Sequence, residues 1–513
     1  MWRNFFTVAL RNASKNKVFT LINVSGLAIG LASSILILMF IIKELSFDRF
    51  HEHKHRIHRL YIDGVIGDQP FRGAWTSMVM APTFTSEIPE IDAYVRFDVY
   101  NQNLIGYGNE QHMEDHFLFA DPSIFDVFSI RMVRGDPHTA LSEPNSIVIT
   151  EEKARLYFGE EDPLGLPLHV NSDSNLYYVT GVIEALPENS HFFADFIASM
   201  ETLDWESNVT WFQNSIFSYV LLRPDANPEK VQEKMAAVMT EHIRGELKSI
   251  LGVEPEEWAA GGNQYGIYLQ ALLDIHLQPD IEVGMDSCFR PVHGRLYVHI
   301  FGLIALFILV IASINFMNLS TARSATRARE IGIRKAAGSD RPQLIRQFLV
   351  ESVVLSLMAL AVALILVELS LPWFNKTMDM DLRMEQVQYG YLLPVVIGMA
   401  LVVGLLSGIY PALFLSRFKP VDGIRGGFLD IKRAGQFRSV MVVVQFTISV
   451  AIIVGTLIVS NQLHYLLNRD LGYDKKQLVV IKRTFPLESS HQTYCREVEK
   501  IPGVVSASNS TTF

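Results

Sequence analysis

Five long apolar runs divide this chain, and the stretches between them follow different rules. The first run, Val18 to Ile42, holds 25 residues without a charge. A helix of that length crosses a hydrocarbon core of about 30 Å with some tilt. No A-x-A-like cleavage site follows it, so it reads as a retained span rather than a signal peptide. The second run is Leu296 to Ala322. The third is centred on Ser352 to Val367, short between Glu351 and Glu368, which are expected at the two interfaces. The fourth covers roughly Gly390 to Leu415 and the fifth Ser439 to Leu463. Ahead of the first run, residues 1–17 mix aromatics with Arg3, Arg11, Lys15 and Lys17, the pattern of an amphipathic helix in the interface. Within the first run, Gly26 and Gly30 form a G-x-x-x-G step, continued by Ser33 and Ser34. That spacing of small residues predicts close packing against a second helix.

Between the first two runs, residues 44–295 read as one large external α+β domain. Ser146–Thr150 and Leu176–Ile183 are β-rich and predict strands. Glu151–Phe158 predicts a helix with Thr150 as its N-cap and Gly159 just past its end. Asn227-Pro228 opens a second helix, amphipathic through Val231, Met235, Val238 and Met239. The fold class is therefore a membrane α-helical protein of five predicted spans carrying a large α+β extracytoplasmic domain.

Composition supports this division. Hydrophobic residues make up 49% of 513, concentrated in the five runs. The net charge of −10 is uneven. Residues 1–17, 320–346 and 416–438 are basic, together +13, which leaves −23 for the rest. Basic segments stay in the cytoplasm. Five spans starting from a cytoplasmic N-terminus satisfy all three placements. They put 44–295, the loop 369–388 and the tail 465–513 outside. This asymmetry is a statement of topology and not a nucleic-acid footprint. The two cysteines, Cys288 and Cys495, cannot build a disulfide framework and read as unpaired.

Candidate chemistry is sparse. His51-Glu52-His53-Lys54-His55 formally matches H-E-x-x-H, with His58 on the same face of a notional helix. The segment is heavily charged and abuts the membrane, so it reads as a solvated helix opening the external domain, not as catalytic zinc. No G-x-x-x-x-G-K-S/T and no G-x-S-x-G occurs, so the chain offers no P-loop for ATP and no nucleophile elbow. No enzyme activity and no cofactor are expected of it. Asn315 and Asn318 in the second run can bond a neighbouring helix.

The most informative segment is Arg327-Ala-Arg-Glu-Ile-Gly-Ile-Arg-Lys-Ala-Ala-Gly338, directly after the second run. Topology alone needs only Lys and Arg. This run adds two glycines and an acid–base pair one helical turn apart, Glu330 and Arg334. It resembles the signature of FtsX-like ABC permeases, the group that includes MacB-type and lipoprotein-releasing transporters. In the external domain, Phe125–Phe128, Gly135-Asp136, Asn145–Thr150, Tyr157–Gly159, Asp162–Gly165 and Val179–Val182 are similar, in order and spacing, to the MacB-type external domain. The resemblance implies a permease region over 296–415. Within it, a cytoplasmic coupling helix over 323–338 would seat in a separate ABC ATPase. The coupling residues would be Arg329, Glu330, Ile331, Gly332, Arg334, Lys335 and Gly338. It implies a bacterial inner membrane, a periplasmic domain, ATP hydrolysis supplied by the partner and transmitted as motion, and a periplasmic adaptor or cargo that the sequence does not name. The alternatives are a membrane-anchored sensor and a regulator of cell-wall hydrolases acting through the external domain. After the cytoplasmic linker 416–438, the fifth span at 439–463 repeats the first. The segment 465–513 looks like the start of a second external domain, with a strand beginning at Lys475–Ile481, in a chain that reads as a truncated two-repeat protein, the alternative being one complete four-span unit followed by a degenerate tail.

Overall fold

The computed structural model describes residues 2–203, 210–252, 254–284, 287–322, 335, 338–378, 380–384, 392–416, 431–469, 478–481 and 490–508. Among the described residues, five helices are long and apolar enough to cross a membrane: Lys17–Leu45, Arg295–Ala322, Arg341–Met378, Leu392–Phe414 and Arg438–Asn468. The third differs most from its hydropathy pattern. Its 38 residues make a rod of about 57 Å at 1.5 Å per residue. Polar flanks continue the helix beyond the apolar centre, and Pro342 sits in the first turn, where its missing N–H breaks no hydrogen bond. Glu351, expected at an interface, packs inward beside Phe19, Phe316, Phe348 and Pro411.

The first, third and fourth spans share one core, in which Leu27, Leu31 and Ile35 meet Ala359, Ala363, Val396 and Ala400. Small residues set the approach. A Cβ on Gly30 would lie 2.7 Å from Ala312 Cβ of the second span, and one on Gly26 3.2 Å from Asn315 Nδ2. The Ser34 hydroxyl donates to Ala305 O at 3.2 Å. A similar seam, absent from the sequence reading, joins the third and fourth spans. A Cβ on Gly408 would meet Ser352 Oγ at 2.6 Å, and Ser356 Oγ donates to Ala400 O at 2.7 Å.

Among the described residues, the external domain is built on fourteen strands. They are β1 (Ile57–Ile66), β2 (Gln69–Gly73), β3 (Trp75–Ser77), β4 (Ile91–Tyr100), β5 (Asn103–Tyr107), β6 (Glu110–Glu114) and β7 (Phe117–Ala120), then β8 (Met132–Gly135), β9 (Ser146–Thr150), β10 (Pro167–Val170), β11 (Ser172–Ile183), β12 (Phe196–Ser199), β13 (Asn214–Leu222) and β14 (Gln264–Ala271). Their order is β14-β1-β13-β4-β7-β12-β9-β11-β10-β5-β6, with β2, β3 and β8 paired to β1, β13 and β11. Only β7–β12 and β9–β11 run parallel among these pairs.

Period-two alternation assigns the faces. On one face, Phe97, Leu118, Val148, Ile197, Phe217 and Tyr219 enter a single continuous core. On the other, the strands serve two smaller cores. One, under helices Met80–Glu87 and Pro228–Glu246, holds Leu60, Ile62, Val220 and Leu222. The other, under helix Glu151–Phe158, holds Phe117, Ile147, Ile149 and Phe196. β9 is buried at every position, as befits a strand covered on both sides.

The helix at Pro228 starts as its sequence predicts: Asn227 Oδ1 accepts from the N–H groups of Glu229 (2.9 Å) and Lys230 (3.3 Å). Thr150 occupies the N-cap position of its helix, but its hydroxyl makes no capping bond. Two expectations need correction. Residues 52–56 form turns, not a helix, and His51 just before them is fully buried. The cause is the left-handed residue Asp48 (φ +58°), which turns the chain into the domain instead of along its surface. Of the run Lys475–Ile481, expected to begin a strand, residues 475–477 lie outside the described residues, and Leu478–Ile481 are exposed and carry no ladder. The helix His491–Glu499 buries none of its residues.

Candidate functional site

The apolar helices must be joined to the sheet domain, and the structure places a buried polar cluster at that joint. The first span closes at Ser46, whose hydroxyl donates back to Lys43 O at 2.7 Å. Asn189, between β11 and β12, donates to Ser46 O at 3.0 Å and accepts from the Asp48 N–H at 2.8 Å. The left-handed turn then drives the Asp48 carboxylate inward. Its Oδ1 accepts from the His191 backbone N–H at 3.0 Å and lies 2.8 Å from His191 Nδ1. With Nδ1 protonated, His191 Nε2 accepts from Tyr219 O–H at 2.9 Å. The chain of bonds therefore runs from the end of a span to a core residue of the central sheet.

Glu44 anchors a second branch one turn earlier. It is 1% exposed, and its Oε2 lies 3.0 Å from both His276 Nε2 and His293 Nδ1. Phe47 stacks on His276 with centroids 3.4 Å apart. The His293 N–H donates to His276 O at 2.9 Å, and two residues later the second span begins. A carboxylate in the last turn of a helix faces the negative end of the dipole, and burial strips its water. Charge-assisted bonds to imidazole offset both effects. The bond to Glu44 in turn holds the His293 imidazole above its usual range.

His51 behaves oppositely. Burial pulls its imidazole down to about 4, opposed by Asp48 and reinforced by His191. Its Nδ1 accepts the Ser129 N–H at 3.1 Å, which fits a neutral ring. The H-E-x-x-H resemblance thus dissolves: His51 faces the core while His55 is exposed, with no helix to align them.

Lys43 ties in a fourth segment. Its Nζ sits 2.8 Å from Glu188 Oε2 and 3.5 Å from Asp381 O, so the loop after the third span meets the domain at the same end of the bundle. At the opposite end, Lys335 Nζ donates to Ser416 O at 2.7 Å, and Arg341 Nε to Ser416 Oγ at 3.3 Å. Both cations cap the C-terminus of the fourth-span helix, where the dipole favours positive charge. Burial and the neighbouring Arg341 lower the Lys335 ammonium from its usual range. Gly338 takes φ +94° with open space around it, so glycine is required there by the turn and not by close approach. Arg329, Glu330, Ile331, Gly332 and Arg334 lie outside the described residues.

The Glu44, Asp48, His191, His276 and His293 cluster was invisible to sequence reasoning. No local spacing links residues 44, 191, 276 and 293. The only hint was a pair of acids, Glu44 and Asp48, straight after an apolar run.

Spans, buried joint and mixed-sheet domain define a membrane protein with an extracytoplasmic domain. The family model described as MacB-like periplasmic core domain matches residues 20–238, and that described as FtsX-like permease C-terminal matches 302–420. The chain belongs to the FtsX-like, MacB-type permease family. Over 145 residues it is 30% identical to the macrolide export ATP-binding/permease protein MacB of Burkholderia pseudomallei, covering 27% of this chain and 21% of that protein. Over 291 residues it is 24% identical to the protein of the same name from Bdellovibrio bacteriovorus, covering 54% and 38%. The chain thus spans well under half the length of these curated relatives. Among solved structures, it resembles a domain of a permease-like protein from Porphyromonas gingivalis (24% identity, 44% of this chain, 92% of that chain, TM-score 0.38). It also resembles the periplasmic region of MacB from Actinobacillus actinomycetemcomitans (15% identity, 42% and 88%, TM-score 0.27).

Proposed function

We propose that this chain is the membrane subunit of an ABC transporter, converting ATP hydrolysis by a separate P-loop protein into movement of its external domain. One observation carries the reading: the acid–base run Arg327–Gly338 joins the second and third spans in a chain without a P-loop. The MacB relatives are named as ATP-binding and permease protein in one; in this reading a partner protein supplies the ATP-binding half. In this reading the N-terminus, 323–338 and 416–438 lie in the cytoplasm of a bacterial inner membrane, and 44–295 lies outside. Motion enters through Arg329, Glu330, Ile331, Gly332 and Arg334 docked in the ATPase. Lys335 passes it to the fourth span through Ser416. It leaves through the Glu44 and Asp48 branches into the sheet. The transported or regulated molecule sits beyond the domain.

The test is purification of the full chain from its host with scoring for a co-purifying P-loop ATPase. Recovery of one is expected. Glu330→Arg or Arg334→Glu should lower ATPase recovery and permease-stimulated hydrolysis about tenfold or more, the equivalent of ~1.4 kcal/mol, while the chain still inserts. An ATPase that binds and is stimulated equally by both variants would defeat the assignment.

A further inference from the structure

Glu44, His276 and His293 stand apart from the rest of the joint by their donor chemistry. Among the described residues they are a group of three metal-ligating side chains whose donor atoms all lie within 4.8 Å of one another. Each comes from a different part of the fold: the last turn of the first span, the chain after β14, and the approach to the second span.

We propose that Glu44, His276 and His293 form a binding site for a divalent transition-metal ion of the zinc class, which fastens the outer ends of the first two spans to each other and to the domain. The proposal does not depend on ATPase coupling. One carboxylate and two imidazoles are a donor set that zinc accepts, with a fourth position left for water. Calcium and magnesium instead require shells of oxygen ligands. Metal–ligand distances of about 2.0–2.1 Å in a tetrahedron separate donor atoms by about 3.3 Å. Glu44 Oε2 already lies 3.0 Å from each imidazole nitrogen, a few tenths of an ångström inside that spacing, and all three donor atoms lie within 4.8 Å of one another, so small side-chain shifts complete the shell.

Two further observations favour a ligand here. Glu44 Oε1 is buried without a hydrogen-bond partner, although the group is a carboxylate with 1% exposure. A cation beside Oε2 would satisfy that second oxygen electrostatically or by direct ligation. The site is also pre-organised. Phe47 fixes the His276 ring by stacking, and the backbone bond from His293 to His276 holds the two histidines in register. The His293 side chain is 43% exposed, which gives the ion a route in and an open fourth position. The H-E-x-x-H segment competes poorly, because His51 is buried against Ser129 and cannot act together with His55.

The experiment uses the full chain in detergent, purified without a histidine tag and stripped with chelator, then titrated with zinc or cobalt alone. One ion per chain is expected, with the visible absorption of four-coordinate cobalt and a zinc-dependent rise in thermal midpoint. His293→Gln, at a half-exposed position that leaves the core intact, should weaken affinity by at least about 100-fold and abolish the rise. Glu44→Gln should do the same, and a His53→Gln/His55→Gln variant should bind like the parent chain. Absence of stoichiometric binding, binding that survives His293→Gln, or binding lost in the His53/His55 variant would each overturn the proposal.

Discussion

Asp48 combines two unfavourable features, a left-handed backbone and a buried carboxylate, and the structure offsets both at one place. Asp is among the few residues that tolerate φ near +58°, and the inward turn delivers its oxygen to His191. Asp48→Ala keeps no partner for the His191 N–H and ring, and should lower stability by about 3–5 kcal/mol, read as thermal midpoint in detergent. A loss no larger than that of a surface alanine substitution would show the branch to be incidental. His51 supplies the pH dependence. The unfolded imidazole takes up a proton as pH falls through 6.5, whereas the buried one, facing Asp48 and His191, resists until about 4. Stability is therefore full above 6.5 and declines between those values, by up to about 3 kcal/mol. His51→Asn retains an acceptor for the Ser129 N–H but cannot titrate. The midpoint of this variant should fall less steeply from pH 7 to pH 5 than that of the parent chain, and parallel slopes would contradict the assignment.

At the scale of elements, packing between spans rests on missing side chains. Gly30→Val sets a Cβ 2.7 Å from Ala312 and Gly408→Val one 2.6 Å from Ser352. Each should cost about 1–3 kcal/mol by overpacking. Gly398→Ala, with nothing within 4 Å of the new Cβ, serves as the control, and equal melting of all three would refute the seams. The elements also show what was legible in sequence. Ser146–Thr150 and the helix from Pro228 were readable because β-branched runs and an Asn cap act locally. The G-x-x-x-G of the first span was readable for the same reason, whereas Gly404 and Gly408 were passed over within a longer apolar run. Of the joint, only the two acids after the first apolar run, Glu44 and Asp48, left a trace in the sequence. Its members are brought together by the sheet, and a period-based reading of residues 51–55 pointed to a helix that the turn at Asp48 prevents. Local patterns find elements; a site whose donors are 232 and 249 residues apart leaves no local pattern.

At the scale of the whole molecule, stability is distributed unevenly. The sheet and most of its joint are buried, while the fifth span buries none of its most apolar window and the His491–Glu499 helix buries none of its residues. Hydrogen exchange should follow this division. The amides of Asp48, His191 and His293, all bonded within the joint, should exchange as slowly as those of β9 and β12. Residues 490–508 should exchange near the unprotected rate. A joint that exchanged like the tail would be a loose hinge and could not transmit a displacement.

The separation of Glu44 from His293 also sets a clock during synthesis. At about 5–20 residues per second, the 249 residues between them take roughly 12–50 s to be made. For that interval the newborn first helix ends in an acid whose imidazoles do not yet exist, so Glu44 must stay hydrated at the lipid headgroups. Nascent chains arrested shortly after residue 276 should therefore leave a Glu44→Cys thiol open to a water-borne maleimide, and chains arrested well past residue 293 should shield it.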